Sequence, residues 1–190
     1  MVTLNRIYTR TGDQGQTRLA TGESVSKASL RVETYGAVDE TNACIGLVRL
    51  HTTGGELDPV LARIQNELFD LGADLSTPIA PDEVEGRALR IIDSQVERLE
   101  AEIDRFNGDL SDLTSFVLPG GTPAAASLHL ARTVSRRAER WAVRLAEAGD
   151  VVNPAALKYL NRLSDLLFVT SRWANDQGAG DVLWKSGATR

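Results

Sequence analysis

Apolar residues recur at every third or fourth position along most of this chain, which is the spacing that one buried face of an α-helix requires. The first stripe begins at Tyr35 and ends near His51, and the second extends from Asp58 to Pro78. Asp58 is followed by Pro59, a typical helix start, because proline lacks the backbone N–H that the first turn leaves unbonded anyway. The pattern therefore predicts two helices before Pro78.

Three further helices are predicted by the same criteria. Apolar positions in 89–106 alternate at spacings of three and four, and two more helical segments cover 122–149 and 153–178. Each of these last two opens with a capping residue followed by proline. Strand patterns are almost absent, so we expect an all-α, five-helix bundle with helices of about 18 to 28 residues.

The segment before the helices has a different composition. Residues 1–31 are polar, rich in threonine and interrupted by glycines, without a sustained helical period, which predicts an ordered or ligand-ordered loop. A length of 190 residues suits one domain. We expect a single domain over 1–190, consisting of this loop, a bundle at 32–177 and a tail at 178–190.

Charge and hydropathy exclude several classes of protein. The chain has 21 basic and 26 acidic residues and a formal net charge of −5, which argues against a general nucleic-acid binder. Residues 1–10 do not combine a basic start with an apolar stretch, so we expect no secretory signal. No apolar run approaches the ~20 residues that span a bilayer. We expect a cytoplasmic protein without membrane or nucleic-acid partners.

Cysteine and histidine are too scarce for several kinds of chemistry. The chain contains Cys44, His51 and His129 and no other residue of either type. One cysteine cannot form an internal disulfide, and this set does not have zinc-site spacing. We place both histidines outside the candidate site described below. A serine, histidine and acid triad is also disfavoured, and we expect Cys44 to fill the core.

The basic residues are unusual in type and position. Of the 21, three are lysines and 18 are arginines. Five arginines lie in the fourth predicted helix, where Arg132 and Glu139 fall at the border of the apolar face and Arg136 lies next to Arg132. A solvated charged face is one interpretation. Guanidinium groups at i and i+4 repel each other unless an anion lies between them, which favours a bound carboxylate or phosphate.

The N-terminal loop could bind the same kind of ligand. Glycines let backbone amides approach an anion closely, and hydroxyl groups with a cation complete a phosphate site. A simple turn is the alternative, since the loop lacks the Gly-Lys-Ser/Thr ending of a Walker A motif. The candidate residues are Thr9, Arg10, Thr11, Gly12, Asp13, Gly15, Thr17 and Lys27.

Other polar and aromatic residues have two interpretations each. Asp39 in the first helix and Asn161 and Asp165 in the fifth lie at the edges of apolar stripes, where they either join helices or hold a ligand. A half-buried Asp39 requires a cation, and the arginines of the fourth helix could supply it. Phe116 opens an apolar loop, 116–122, which either covers one end of the bundle or faces a ligand.

Six segments together resemble the PduO-type ATP:cob(I)alamin adenosyltransferases. They follow one another in order and cover the chain from residue 7 to about 175, which makes the set far more specific than any member. The segments are YTRTGDQGQT (8–17), RVETYGAVDE (31–40), FDLGADL (69–75), FVLPGGT (116–122), RTVSRRAER (132–140) and LNRLSD (160–165).

The resemblance implies a homotrimer of five-helix bundles with active sites at the subunit interfaces. ATP would bind to the N-terminal loop, Lys27, Arg132 and Arg136, with Mg²⁺ on its phosphates. Glu139 would help to organise nucleotide and metal, and Asn161 would contact the nucleotide. Asp39 would pair with Arg132 across the interface and border the corrinoid, and Phe116 would lie against the lower face of the cobalt.

The implied reaction transfers the 5′-deoxyadenosyl group of ATP to cob(I)alamin and releases tripolyphosphate. Cobalamin is then a substrate and the protein does not ligate its cobalt. A cobalamin reductase and an adenosylcobalamin-dependent mutase are the partner enzymes that follow. The alternative is a non-catalytic module that binds ATP or cobalamin and senses or carries it.

Overall fold

The chain folds into the five-helix bundle that its apolar pattern predicts. The structure is a computed structural model that describes residues 8–190, so residues 1–7 of the predicted N-terminal loop lie outside the described part. The helices are α1 (Leu30–Arg49), α2 (Asp58–Ser76), α3 (Asp93–Asn107), α4 (Pro123–Glu147) and α5 (Pro154–Trp173).

Helix α1 packs against α2 and α4, and α5 packs against α4 and α3. Leucine and isoleucine side chains supply most of the bulk of the core, and α4 contributes Leu128 to it. Helix α4 also presents fully buried alanines, among them Ala131, Ala138 and Ala142. Small side chains shorten the distance between helix axes, so α4 can lie close to both α1 and α5.

The predicted starts of α4 and α5 are confirmed in atomic detail. The Thr122 hydroxyl accepts a hydrogen bond from the backbone N–H of Ala125 at 3.1 Å, and the Asn153 side chain accepts one from Ala155 at 3.0 Å. A proline follows each cap, as at the start of α2. These caps satisfy N–H groups that the first turn of a helix leaves unbonded.

Two predicted helix starts are wrong. Helix α1 begins at Leu30 rather than near Tyr35, because Ser29 caps it. Helix α3 begins at Asp93 and has 15 residues, so Leu89 lies outside it and is exposed. The preceding segment is held in another conformation, since the backbone N–H of Ile91 donates to Asp74 Oδ2 at 2.9 Å.

The fifth helix ends earlier than predicted. Its last residue is Trp173, whereas the apolar pattern continues toward Gly178. Asp176 and Gln177 adopt positive φ angles of 53° and 50°, and Gly178 one of 87°, which is incompatible with a continued α-helix. The turns that result direct the chain back along the connection between α3 and α4.

The N-terminal segment contains a small antiparallel hairpin that the sequence pattern did not predict. Strand β1 (Gln16–Arg18) pairs with β2 (Ser24–Ser26), with Thr17 opposite Val25. Strands of three residues are too short to show alternating polarity in a sequence. The hairpin gives order to the loop between residue 8 and the start of α1.

A buried polar contact joins α2 to α5 and provides a test of the packing. Tyr159 is fully buried and donates its hydroxyl to Glu67 Oε2 at 2.8 Å, and Arg98 donates to Glu67 Oε1 at 2.9 Å. Burial and the Glu67 carboxylate raise the pKa of Tyr159 well above its ordinary value. The tyrosine therefore remains a neutral donor.

We expect Tyr159→Phe to lower the free energy of unfolding by about 1–3 kcal/mol, because a buried carboxylate loses a hydrogen bond. Urea unfolding followed by circular dichroism measures the change. Tyr35→Phe is the control, since Tyr35 is only partly buried against the core and loss of its hydroxyl should cost little. Equal losses in the two variants would contradict the role of this hydroxyl.

Candidate functional site

The predicted site residues fall into three groups in the structure. The first is the N-terminal loop at 9–17 with Lys27, the second is the charged edge of α4 with the facing side of α5, and the third is the apolar loop at 116–122. Each group is built by local interactions that its own residue types explain.

Lys27 closes the N-terminal loop. Its backbone N–H donates to the carbonyl oxygen of Gly15 at 2.8 Å, and Gly15 adopts a φ of 80° that favours glycine. The Lys27 ammonium lies over Gly12, so close that a Cβ atom at residue 12 would be 3.0 Å from Nζ. The Thr9 and Thr11 hydroxyls lie 2.8 Å apart and are exposed. A cation, two hydroxyls and glycine backbone are thus presented on one exposed loop.

The charged edge of α4 meets α5 at Glu139. The Asn161 side chain donates to Glu139 Oε1 at 3.0 Å, so two predicted site residues are in direct contact. Burial, together with the nearby Glu139 carboxylate, raises the pKa of Asp165, while Arg162 and Arg136 act in the opposite direction. Two carboxylates, an amide and an arginine therefore lie together at this helix pair.

Arg132 is less exposed than Arg136, and no carboxylate within residues 8–190 forms an ion pair with it. Its Nε atom is buried and has no hydrogen-bond acceptor within residues 8–190. The guanidinium group is 6.0 Å from the centre of the Phe168 ring on α5. Burial, and then the charge of Arg136, lower the pKa of Arg132. A half-buried guanidinium group with one shielded, unbonded N–H favours a nearby anion.

Asp39 does not supply that anion within its own chain. It lines a groove of about 450 Å³ between α1 and α2, together with Arg18 and the exposed Phe69. The next residue, Glu40, instead forms an ion pair with Arg137 on α4. Adjacent positions of a helix differ by about 100° in direction, so Asp39 faces away from α4.

The apolar loop does not cover the end of the bundle. The side chain of Phe116 is 77% exposed, and its ring packs edge-on against Trp184, with 6.1 Å between the ring centres. A hydrophobic lid would bury this ring against the helices. The interpretation of 116–122 as a lid is therefore wrong, and the ligand-facing alternative remains.

The first two groups do not meet in one chain. Strand β2 and the start of α1 line a cavity together with Leu145, which is 13 positions after Arg132 on α4. At 1.5 Å per residue this separation is about 20 Å along the helix. The hairpin that carries the N-terminal loop therefore lies near the end of α4 that is far from Arg132.

The carboxylates suit a metal ion that another ligand also binds. Residues 8–190 contain no group of three or more His, Cys, Asp or Glu side chains that could hold a metal ion by themselves. Magnesium in phosphate sites uses one or two carboxylates and the oxygens of the phosphates. Glu139, with Asp165 beside it, fits that donor set.

The chain is similar to known proteins along most of its length. The family model described as cobalamin adenosyltransferase matches residues 7–174. The chain belongs to this family. The corrinoid adenosyltransferase of Mycobacterium leprae is 52% identical over 97% of both chains, and that of Bacillus subtilis is 41% identical over 96% of this chain and 94% of its own.

A solved structure of a family member has the same fold. It is the PduO-type ATP:corrinoid adenosyltransferase from Lactobacillus reuteri, complexed with cobalamin and ATP, in a variant in which alanine replaces one phenylalanine. Its TM-score is 0.85 at 38% identity, and the match covers 95% of this chain and 99% of that chain. The all-α bundle is thus the fold of a family with known ATP and cobalamin complexes.

The sequence patterns missed three residues near the site. His129, which we place outside the site, lies close to its edge, because its ring is 6.4 Å from that of Phe168 and the Arg132 guanidinium is 6.0 Å from the same ring. The three missed residues lie beyond the last recognised motif. Trp184 contacts Phe116, Asn175 contacts Thr122, and Asp181 contacts Asn175. No helical period or motif spacing marks residues in a turn-rich tail. Within residues 8–190, no helix is both long and apolar enough to cross a bilayer.

The position of His129 predicts a pH effect on stability. Its side chain is 1% exposed, and neither ring nitrogen has a hydrogen-bond partner within the described residues. Burial, and then Arg132, lower the pKa of His129, while Asp181 acts in the opposite direction. A histidine whose pKa is lower in the folded state stabilises the fold above its unfolded pKa of about 6.5, and this contribution is lost as the pH falls.

We therefore expect His129→Leu to reduce the loss of stability between pH about 7.5 and 5.5, because the variant has no buried imidazole to protonate. Urea unfolding at each pH measures the loss. His51→Leu serves as the control, since His51 is exposed. If the wild type and the His129 variant lose the same stability, protonation of His129 does not contribute.

Proposed function

We propose that this family member transfers the 5′-deoxyadenosyl group of ATP to cob(I)alamin, producing adenosylcobalamin and tripolyphosphate. The observation that carries the proposal is Arg132, half-buried and with no acceptor for its buried Nε within residues 8–190, beside Arg136 on a helix edge that also holds the Glu139–Asn161 contact. Such an edge requires a polyanion. Membership of the family supplies the chemistry of the substrate, since its solved Lactobacillus reuteri member is complexed with cobalamin and ATP.

The reaction needs orientation and charge neutralisation more than a protein nucleophile. The Co(I) electron pair attacks C5′ of ATP, a Co–C bond forms, and the C5′–O bond breaks with its electron pair remaining on tripolyphosphate. The nucleophile is therefore the corrinoid itself. The protein contributes by holding the two substrates in line and stabilising the growing charge of the leaving group.

The triphosphate lies between two groups of residues, which two different copies of the chain supply. Lys27, the Thr9 and Thr11 hydroxyls and the backbone around Gly12 bind one side. The remaining loop residues of the proposed ATP site are Arg10, Asp13, Gly15 and Thr17. On the other side, Arg132 and Arg136 stabilise charge as the C5′–O bond breaks, and Asn161 contacts the nucleotide.

Glu139 is the residue that would hold Mg²⁺ on the phosphates, with Asn161 orienting its carboxylate. When bound there, the ion supplies further neutralisation of the triphosphate. Asp165 lies close to Glu139, whose carboxylate contributes to the raised pKa of Asp165. A cation bound here would therefore be attracted by both carboxylates. This assignment uses residues that are already adjacent in the structure.

The sites are completed between copies of the chain. The N-terminal loop and Arg132 are separated in one chain, and Asp39 faces away from α4. A homotrimer with interfacial sites brings the loop of one subunit to the arginines of its neighbour. Asp39 then pairs with Arg132 of the neighbour and borders the corrinoid, satisfying both unpaired charges at once.

Phe116 lies against the lower face of the cobalt in this arrangement. The exposed ring is apolar and cannot donate electrons to the metal as an axial ligand. A Co(II) centre without that ligand is easier to reduce to the nucleophilic Co(I) state. A reductase must supply the electron, and an adenosylcobalamin-dependent mutase is the class of enzyme that consumes the product.

We expect the protein to convert chemically reduced cobalamin, ATP and Mg²⁺ to adenosylcobalamin with release of tripolyphosphate, followed by absorbance and anion chromatography. Arg132→Lys should lower kcat on the order of a hundredfold with assembly intact, because a single ammonium does not replace the planar guanidinium. Arg144→Lys, on the same helix and exposed, is the matched control.

Three outcomes would count against this reaction or this assignment. ADP and orthophosphate with an unchanged corrinoid would overturn the transferase proposal. ATP binding without any turnover would favour a sensor or carrier. An unchanged rate in a stable Arg132→Lys protein would remove Arg132 from the site.

A mixing experiment tests the interfacial pair. We expect Asp39→Arg and Arg132→Asp proteins to be inactive alone, because each places like charges at the interface. After unfolding and refolding together, roughly a quarter of the interfaces combine a native Asp39 with a native Arg132 in a randomly mixed cyclic assembly. Activity should therefore reappear in the mixture. A mixture no more active than its components would mean that the pair is not intersubunit.

A further inference from the structure

The connection between α3 and α4 is anchored at both ends. The anchoring residues lie in the last turn of α5 and directly after it. At the start of the connection, Arg172 Nη2 donates to the carbonyl oxygen of Ser111 at 3.0 Å. At its end, Asn175 Oδ1 accepts from the backbone N–H of Thr122 at 2.9 Å, and its Nδ2 donates to Gly120 at 3.2 Å. Asn175 is 1% exposed, so these bonds are shielded from water.

Asp181 joins the two anchors. Its Oδ2 accepts from Arg172 Nε at 2.8 Å, and its Oδ1 accepts from Asn175 Nδ2 at 3.3 Å. The side chains of Asp181 and Arg172 are 3% and 7% exposed. The space is filled tightly, because a Cβ atom on Gly121, where φ is 102°, would overlap the Asn175 amide. One carboxylate therefore fixes the place of the whole connection relative to the tail.

The residues immediately after Asp181 pair with the backbone around Phe116. The N–H of Leu118 donates to Val182 at 2.8 Å, and the N–H of Trp184 donates to the carbonyl oxygen of Phe116 at 2.8 Å. Val117 and Leu183 form an antiparallel bridge between them. This short ladder is what holds Phe116, since its ring is largely exposed.

The register of that ladder decides which way the Phe116 ring points. Side chains of paired extended segments alternate between two faces, so a slip of one residue would turn the ring to the opposite face. A ladder this short has little side-chain packing to prevent a slip. The buried network of Arg172, Asp181 and Asn175 lies directly beside the ladder. It fixes the position at which residues 182–184 begin.

We propose that Asp181 is a positioning residue for Phe116: through Arg172 and Asn175 it sets the register of 182–184 against 116–118 and so aims the ring at the lower face of the corrinoid. The inference rests on the proposed function. It assigns to the C-terminal tail a part in keeping the cobalt free of an axial ligand, and it makes no claim that Asp181 touches either substrate.

Asp181→Asn tests the proposal, because the variant keeps the size of the side chain and removes the charge that fixes Arg172. With ATP bound, we expect a lower fraction of protein-bound Co(II) without an axial ligand, measured by electron paramagnetic resonance. The kcat should fall on the order of tenfold to a hundredfold, as for a misplaced group, while KM for ATP stays within about twofold.

Asp74→Asn is the matched control for stability. Asp74 is 2% exposed, pairs with Arg90 and also accepts from Ile91 and Asn153, so it is a similarly bonded carboxylate at another place in the fold. We expect it to lower the unfolding temperature without changing the axial coordination of bound Co(II). Equal coordination changes in the two variants would overturn the proposal.

A double variant covers the case in which Asp181→Asn does not fold. Arg172→Met with Asp181→Leu replaces the buried ion pair with apolar residues, a change that commonly preserves stability. In this double variant, the fraction of bound Co(II) without an axial ligand should be lower than in the wild type. Its unfolding temperature should be close to that of the wild type. A wild-type fraction in this folded variant would contradict the proposal.

Phe116→Ala separates this inference from the proposed function. If Phe116→Ala leaves the axial coordination of Co(II) unchanged, or the wild type does not adenosylate cobalamin, the proposed function fails. If Phe116→Ala changes the coordination but both Asp181 variants behave as wild type, the positioning role of Asp181 fails alone.

Discussion

The positive charge of Arg132 is the constraint on which the rest of the site depends. Its Nε is buried without an acceptor within residues 8–190, and the nearby Arg136 adds to the unfavourable potential. Leaving this N–H unbonded and shielded from water is unfavourable, so a bound anion would stabilise this edge of the fold. Asp39 is exposed in a separate groove, so the expectation that it is half-buried and requires a cation within its own chain is wrong.

The fold creates this situation through the choice of side chains on α4. Fully buried alanines such as Ala131 and Ala138 let the helix lie close to its neighbours, which brings the adjacent Arg132 and Glu139 to the edge of the core. Arginines on a fully solvated face of the same helix would be screened by water and salt. Close helix packing and a strong demand for phosphate are therefore consequences of the same sequence pattern.

Much of the architecture follows from local patterns, and the parts that do not are those fixed by distant contacts. The caps at Thr122 and Asn153 act within three residues, so their sequence signatures are reliable. The start of α3 depends on Asp74, which is 17 positions before Ile91, and no local pattern contains that information. The Glu139–Asn161 contact could be predicted from the sequence, because both residues lie at the edges of predicted helical faces. The partners of Phe116 could not, because they lie in a tail without a period.

The scarcity of histidine and cysteine fits a division of labour between the protein and the corrinoid. A corrinoid brings its own metal and its own nucleophile, so the chain needs to provide a surface that does not coordinate cobalt and a place for the leaving triphosphate. An exposed aromatic ring suits the first need only if its direction is fixed by something other than burial. Backbone pairing of 116–118 with 182–184 meets that condition. It also explains why a polar, buried network lies at the end of the bundle, where an apolar cluster would stabilise equally well but leave the register of the ladder unspecified.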